Sequence, residues 1–309
     1  MSALASIVAN IPFQNPVLLA AGTADYGEPL SDVIPLDTLG GLVTKAVSVE
    51  PRHGNPSPRV AEFPGGMINA VGLANPGLDA VKQTHLPWLT KHLTRARVIV
   101  NVVGSTIEDF ATVITGLDPA PIISAYELNV SCPNVRAGGT EFGADLTTLT
   151  ALITNARRAT RRPLFVKLSP TLPNIADTAK AAIDAGADGI TVINTIPGLV
   201  IDVDTRTPRV SFGSGGVSGP GLLPVGVLAT WKVHNAISAP IIGVGGIASA
   251  TDALQYFLAG ASLVAIGTAA MRDPSVPARI IKDLTTWCTT HHHPHLSTLI
   301  GTVDWPTSP

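Results

Sequence analysis

Charged residues are scarce in this chain. Asp, Glu, Lys and Arg make up 14% of its 309 residues, and 20 basic side chains against 22 acidic ones leave a formal net charge of −2. A protein that tracks a nucleic-acid backbone needs a basic stripe or patch, so that class of function is excluded. Cysteine is rarer still, with Cys132 and Cys288 far apart in dissimilar contexts. Two such residues cannot build a disulfide scaffold, and no metal-ligand spacing surrounds them, so an iron–sulfur centre on this chain is excluded as well. Long apolar runs are also missing: nothing approaches the roughly 18 uncharged residues of a membrane-spanning helix. The opening MSALASIVANIPFQNPVLLAAG has no basic start of the secretion-signal kind, and the expectation is a cytoplasmic protein without membrane partners. Neither a Walker loop nor a dinucleotide fingerprint in its proper strand–turn–helix context occurs.

What is present is apolar material and turn residues. Hydrophobic residues reach 45%, and the mean hydropathy of +0.34 suits a sizeable core. The 29 glycines and 26 prolines are spread between apolar runs, the pattern of many tight connections in a compact fold. Short runs without period-two alternation recur at 17–22, 41–47, 98–104, 125–131, 164–169, 189–195, 240–246 and 263–269. Continuous apolar character marks strands covered on both faces, as in a parallel sheet. Helical patterns alternate with them at 106–116, 147–160, 174–186, 222–237, 248–259 and 276–289, with Asp145, Pro173 and Ser249 near their starts. The expected fold is therefore α/β, a (β/α)8 TIM barrel spanning 1–309 as one domain. Segments 48–97 and 196–221 break the rhythm and read as loop insertions over the barrel mouth.

Polar residues fall in telling places. Lys45, Asn101, Asn129, Lys167 and Asn194 each lie inside or at the end of a different apolar run. A lone one reads as a satisfied core polar, but five toward the C-terminal ends of separate strands point to a shared site, because barrel active sites sit on that face. The last two runs end in Gly245-Gly246 and Gly267-Thr268. Either pair alone is an ordinary turn; together, after strands seven and eight, they suit a phosphate cradle. Cys132 sits in NVSCPNVRAGG, and its chemistry alone leaves two readings open, a small buried thiol or a base. Cys288 reads as structural or exposed. His291, His292, His293 and His295 read as a solvated loop, while His53, His85, His92 and His234 join no constellation.

In combination, NPVLLAAGT (15–23), TKAVSVEPRHGNPSPRV (44–60), NAVGLANPG (69–77), ELNVSCPN (127–134), VKLSP (166–170), INT (193–195), GGVSGP (215–220), GVGGI (243–247) and IGTA (266–269) resemble class 1 dihydroorotate dehydrogenase, closest to its B subtype. The resemblance runs from Asn15 to Arg279 and implies an FMN-dependent barrel that oxidises dihydroorotate to orotate in pyrimidine biosynthesis. It implies that Lys45, Asn69, Ala70, Val71, Gly72, Leu73, Asn129, Asn134, Asn194 and Thr195 hold the pyrimidine. Toward FMN it implies Ala21, Gly22, Lys45, Ala46, Asn101, Asn129, Lys167, Ile193, Gly219, Gly245, Gly246, Gly267 and Thr268. Ala21 departs from the serine of many relatives, so a side-chain contact there is lost.

The same resemblance assigns Cys132 to remove a proton from C5 of dihydroorotate while a hydride leaves C6 for the flavin. Lys167 is assigned the charge near the reduced ring. It further implies a homodimer joined to an electron-transfer subunit as a heterotetramer. FAD and an iron–sulfur cluster would sit on that partner and NAD+ would be the acceptor; the cysteine count fits equally an A-type homodimer reducing fumarate. Other readings are a dihydropyrimidine dehydrogenase-like module, a tRNA-dihydrouridine synthase (disfavoured by the charge balance), a phosphate-ligand-binding barrel without catalysis, and an aldolase with Lys167 as a Schiff base.

Overall fold

A computed structural model describes residues 2–131 and 141–306. Its centre is a closed barrel of eight parallel strands: β1 Val17–Leu19, β2 Gly41–Val43, β3 Arg97–Val102, β4 Ile123–Asn129, β5 Leu164–Leu168, β6 Gly189–Val192, β7 Ile241–Val244 and β8 Leu263–Ile266. They follow one another around the wall in chain order, β8 closing on β1 through Val264↔Val17, Ala265↔Leu18 and Ile266↔Leu19. Every residue of β1, β2, β5, β6 and β8 is buried, which is why these runs show no alternation. The expected barrel is thus present, but most strands stop two or three residues before the apolar runs do. Lys45 and Asn194 stand two residues beyond β2 and β6, whereas Asn101, Asn129 and Lys167 lie within β3, β4 and β5.

Among the described residues, seven α-helices of seven residues or more pack outside: α1 Leu86–His92, α2 Ile107–Leu117, α3 Leu146–Ala159, α4 Ile175–Asp184, α5 Leu223–His234, α6 Ala250–Ala259 and α7 Val276–Thr290. Local chemistry sets their ends. Thr106 with Asp109 and Ser249 with Asp252 form capping boxes on α2 and α6, and Asp145 and Asn174 cap α3 and α4. Helix α1, inside the segment expected to lack βα rhythm, has no such cap and begins with Leu86-Pro87. Between β1 and β2 there is no α-helix among the described residues, only 3-10 turns at Glu28–Leu30 and Leu36–Thr38.

The barrel interior is layered. A hairpin, Ser6–Val8 with Ile11–Phe13, places Val8, Ile11 and Phe13 against Leu18, Val43, Ile99, Ala125, Phe165, Ile242 and Leu263, sealing the N-terminal end. Inward positions repeat every second residue along a strand, so Asn101 follows Ile99, Glu127 and Asn129 follow Ala125, and Lys167 follows Phe165. An apolar floor therefore carries a polar storey above it, toward the C-terminal mouth.

The two mouth insertions are more ordered than loops. Val60–Phe63, Gly66–Asn69, Gly215–Ser218 and Ile196–Gly198 form one antiparallel sheet in which Asn69 pairs with Gly216. Weak strand signals (Gly-Gly, and Pro197 within a strand) hide this sheet from the sequence. No helix among the described residues is long and apolar enough to cross a membrane.

Candidate active site

The C-terminal ends of the strands and the mouth sheet enclose a cavity of about 770 Å³, within the ordinary size of a small-molecule site. Residues from six strands or their following turns reach it: Ala21 and Gly22 after β1, Lys45 and Ala46 after β2, Asn101 from β3, Asn129 from β4, Lys167 from β5, and Ile193, Asn194 and Thr195 after β6. The glycine turns after β7 and β8 contribute Gly245, Gly246, Gly267 and Thr268. From the insertions come Asn69, Ala70, Val71, Gly72, Leu73 and Gly219. All the site residues expected from the sequence that belong to the described residues thus face one cavity. Cys132 and Asn134 lie outside the described residues, directly after Ser131, which lines the same cavity.

Two polar atoms there, the Oδ1 of Asn129 and the Oγ of Ser131, are buried without a hydrogen bond among the described residues. Such atoms cost of the order of 1–3 kcal/mol each unless something binds them. Lys167 is buried in β5, its register neighbours Asn129 on one side and Thr191 on the other, and forms no ion pair among the described residues. Lys45 differs. Its Nζ sits 3.6 Å from Asp25 Oδ1, and its backbone N–H donates to the Asp25 carbonyl at 2.7 Å. Asp25 adopts φ 53°, so an aspartate in a left-handed turn carries the lysine; nothing in the string AAGTADYG announces it.

The turn after β7 is built for close approach. Gly245 and Gly246 have φ 127° and 73°, and a Cβ on Gly246 would meet the Leu223 nitrogen at 2.4 Å. Only a bare backbone fits there. Behind it, Tyr256 of α6 donates to the Gly245 carbonyl at 2.7 Å and fills the space that Gly226 and Gly243 leave open. Burial foremost, with Asp252 adding to it, raises the Tyr256 phenol far above its usual range, so it stays a donor. Across the mouth, Thr268 donates to Ser218 at 2.7 Å, and Arg272 links to Glu62 at 2.7 Å and to the Gly66 carbonyl at 2.9 Å. Asn69 donates to Gly216 at 3.1 Å, and a Cβ on Gly216 would collide with Thr195, so Gly216 of the second insertion packs against both Asn69 and Thr195.

Sequence reasoning missed two carboxylates. Glu141, nine positions after Cys132 in the sequence, lines the cavity, and burial pushes its carboxyl up. Glu127, buried in β4, joins Asn101 and Thr191. Elsewhere, Cys288 is buried in α7, where burial raises its thiol. The histidine tail is less free than a solvated loop, since His291 and His293 stack on Trp287 with ring centroids 4.3 and 5.2 Å apart. Among the described residues no cluster able to hold a metal occurs.

Comparison with known proteins adds a family to this geometry. Residues 3–287 match the family model described as dihydroorotate dehydrogenase. The chain is 43% identical over 297 residues to the catalytic subunit of dihydroorotate dehydrogenase B (NAD(+)) of Pelobacter propionicus, covering 96% of this chain and 97% of that one. It is 44% identical over 301 residues to the protein of the same description from Geobacillus kaustophilus, covering 97% and 96%.

Proposed function

Since the chain belongs to the dihydroorotate dehydrogenase family, we propose that it oxidises dihydroorotate to orotate in pyrimidine biosynthesis, with FMN in the barrel-mouth cavity and a partner subunit passing electrons to NAD+. The observation that carries this reading is the lining of one cavity by strand-end amides, a buried ammonium and paired glycine turns. That donor set suits FMN: Asn129 Oδ1, without a partner among the described residues, and buried Lys167 offer an acceptor and a cation, while the Gly245-Gly246 and Gly267-Thr268 turns that line the same cavity offer backbone N–H groups to a phosphate. When bound, FMN supplies the two-electron acceptor for the hydride leaving C6 of the substrate.

The chain's own residues do the rest. Asn69, Asn129 and Asn194 present amides that orient the pyrimidine through paired donors and acceptors, with Lys45 beside them holding its carboxylate. Lys167, buried at the cavity wall, would favour negative charge on a flavin held there. Cys132 is the base for the C5 proton, which ends on its Sγ; C5 neighbours a carbonyl, so charge developing there spreads onto oxygen. The mouth sheet limits water at the reacting centre. The B-type relatives are described as catalytic subunits of an NAD(+) enzyme, which supports a separate electron-transfer subunit; to that partner we assign FAD and an iron–sulfur cluster, as the B-type resemblance implies, and we place the enzyme in the cytoplasm.

The acceptor tests this reading. Isolated chain should form orotate from dihydroorotate with an artificial dye, leave fumarate unreduced, and turn over NAD+ only when co-expressed with the electron-transfer subunit. Orotate formation with fumarate by the isolated chain would place it with the A-type enzymes instead, and no orotate with any acceptor would remove the activity.

A further inference from the structure

Glu127 is a charged residue in the most enclosed part of the barrel, and the mechanism above does not use it. Only 1% of it is exposed, and no Lys, Arg or His forms an ion pair with it among the described residues. Its two oxygens are divided between two strands: Asn101 Nδ2 of β3 donates to Oε1 at 2.7 Å, and Thr191 Oγ1 of β6 donates to Oε2 at 2.8 Å. The carboxylate thus ties β3, β4 and β6 together one inward step below Asn129.

The chemistry of that contact settles how Asn101 is turned. Its nitrogen is the atom that donates to Glu127 Oε1, so its Oδ1 faces away. Asn101 lines the cavity, and no described residue donates to its Oδ1. Without Glu127 the amide is free to turn over and offer N–H instead. We infer that Glu127 is a positioning residue: it locks the Asn101 amide so that an acceptor, and not a donor, is presented to an N–H on the edge of the ring bound in the cavity. This rests on the reading of that cavity as the FMN site.

The test is the FMN dissociation constant of Glu127→Gln, Glu127→Leu, Asn101→Leu and the Glu127→Leu/Asn101→Leu double variant. Glutamine can accept from Asn101 through its oxygen while donating to Thr191, so it should bind FMN within about threefold of wild type. Leucine keeps the volume but not the acceptor and should weaken FMN about tenfold, one charge-assisted hydrogen bond's worth. Because Glu127 acts through Asn101, the double variant should bind no more weakly than Asn101→Leu alone. Unchanged binding in Glu127→Leu, glutamine as damaging as leucine, or additive losses in the double variant would each overturn the role. Should Glu127→Leu not fold, Glu127→Gln and Asn101→Leu decide: a glutamine variant that binds FMN as weakly as Asn101→Leu, or an Asn101→Leu variant that binds it like wild type, overturns the proposal. Wild-type protein without affinity for FMN would instead overturn the reading of the cavity itself.

Discussion

Lys167 shows how much one residue can disclose. A lysine inside the apolar string LFVKLS has no reason to be there except a partner, and the barrel buries it at the cavity without an ion pair among the described residues. Changing Lys167→Ala should loosen FMN and make its reduction potential more negative, because a buried cation that favours the reduced flavin is lost from the cavity. Spectroelectrochemical titration of the holoprotein reads this directly, and an unchanged potential would contradict it. Asn101 and Asn129 are legible for the same reason. Glu127 stands in the same string as Asn129, yet the letters cannot tell which polar residue meets the ligand and which bonds sideways to its neighbours. Asp25 is less visible still, since its role depends on a left-handed turn that brings it 3.6 Å from Lys45.

Elements were legible where periodicity was strong and hidden where geometry overrides it. The helices announced by Ser249, Asp145 and the apolar stripes of α3 and α6 lie close to their expected bounds, with caps supplying the missing hydrogen bonds. Strand ends were overestimated because the chain stays apolar as it leaves the barrel wall to line the mouth. The helix-free β1–β2 connection is held differently, by Asp37. Its carboxylate accepts from the backbone N–H groups of Thr94, Arg95 and Ala96 at 2.8, 2.7 and 2.9 Å and from the Thr94 hydroxyl at 2.7 Å. Partial burial pushes this carboxyl up, but those hydrogen bonds outweigh it and lower it to about 2 from 3.8. A depressed carboxyl stabilises the fold fully above its unfolded value and loses that contribution as pH falls through the folded one. Asp37→Ala should therefore cost about 1–2 kcal/mol near neutral pH. The gap to wild type should close as pH falls from about 4 to about 2, and denaturant titrations along that range would show it. A gap that stays constant would remove the carboxylate from this joint.

At the scale of the whole molecule, scarce charge, two cysteines and eight apolar runs were enough to indicate a barrel with its chemistry at one end. They were not enough to reveal the four-stranded mouth sheet, whose strands are poor in strand-forming residues and whose key contact, Asn69 to Gly216, joins positions 147 apart. Such pairings are decided by the assembled fold and leave little trace in local sequence. That sheet and the strand ends together make a single cavity from residues spread between Ala21 and Thr268, and the account stands on that cavity holding a flavin that the substrate reduces. The direct test is the visible absorption spectrum of the purified protein, recorded without oxygen before and after dihydroorotate. Wild-type protein should be yellow and bleach, and Cys132→Ala should stay yellow and bleach slower by about 10²-fold or more, the usual worth of a general base. Colourless protein that takes up no FMN, or a Cys132→Ala variant that bleaches at the wild-type rate, would contradict it.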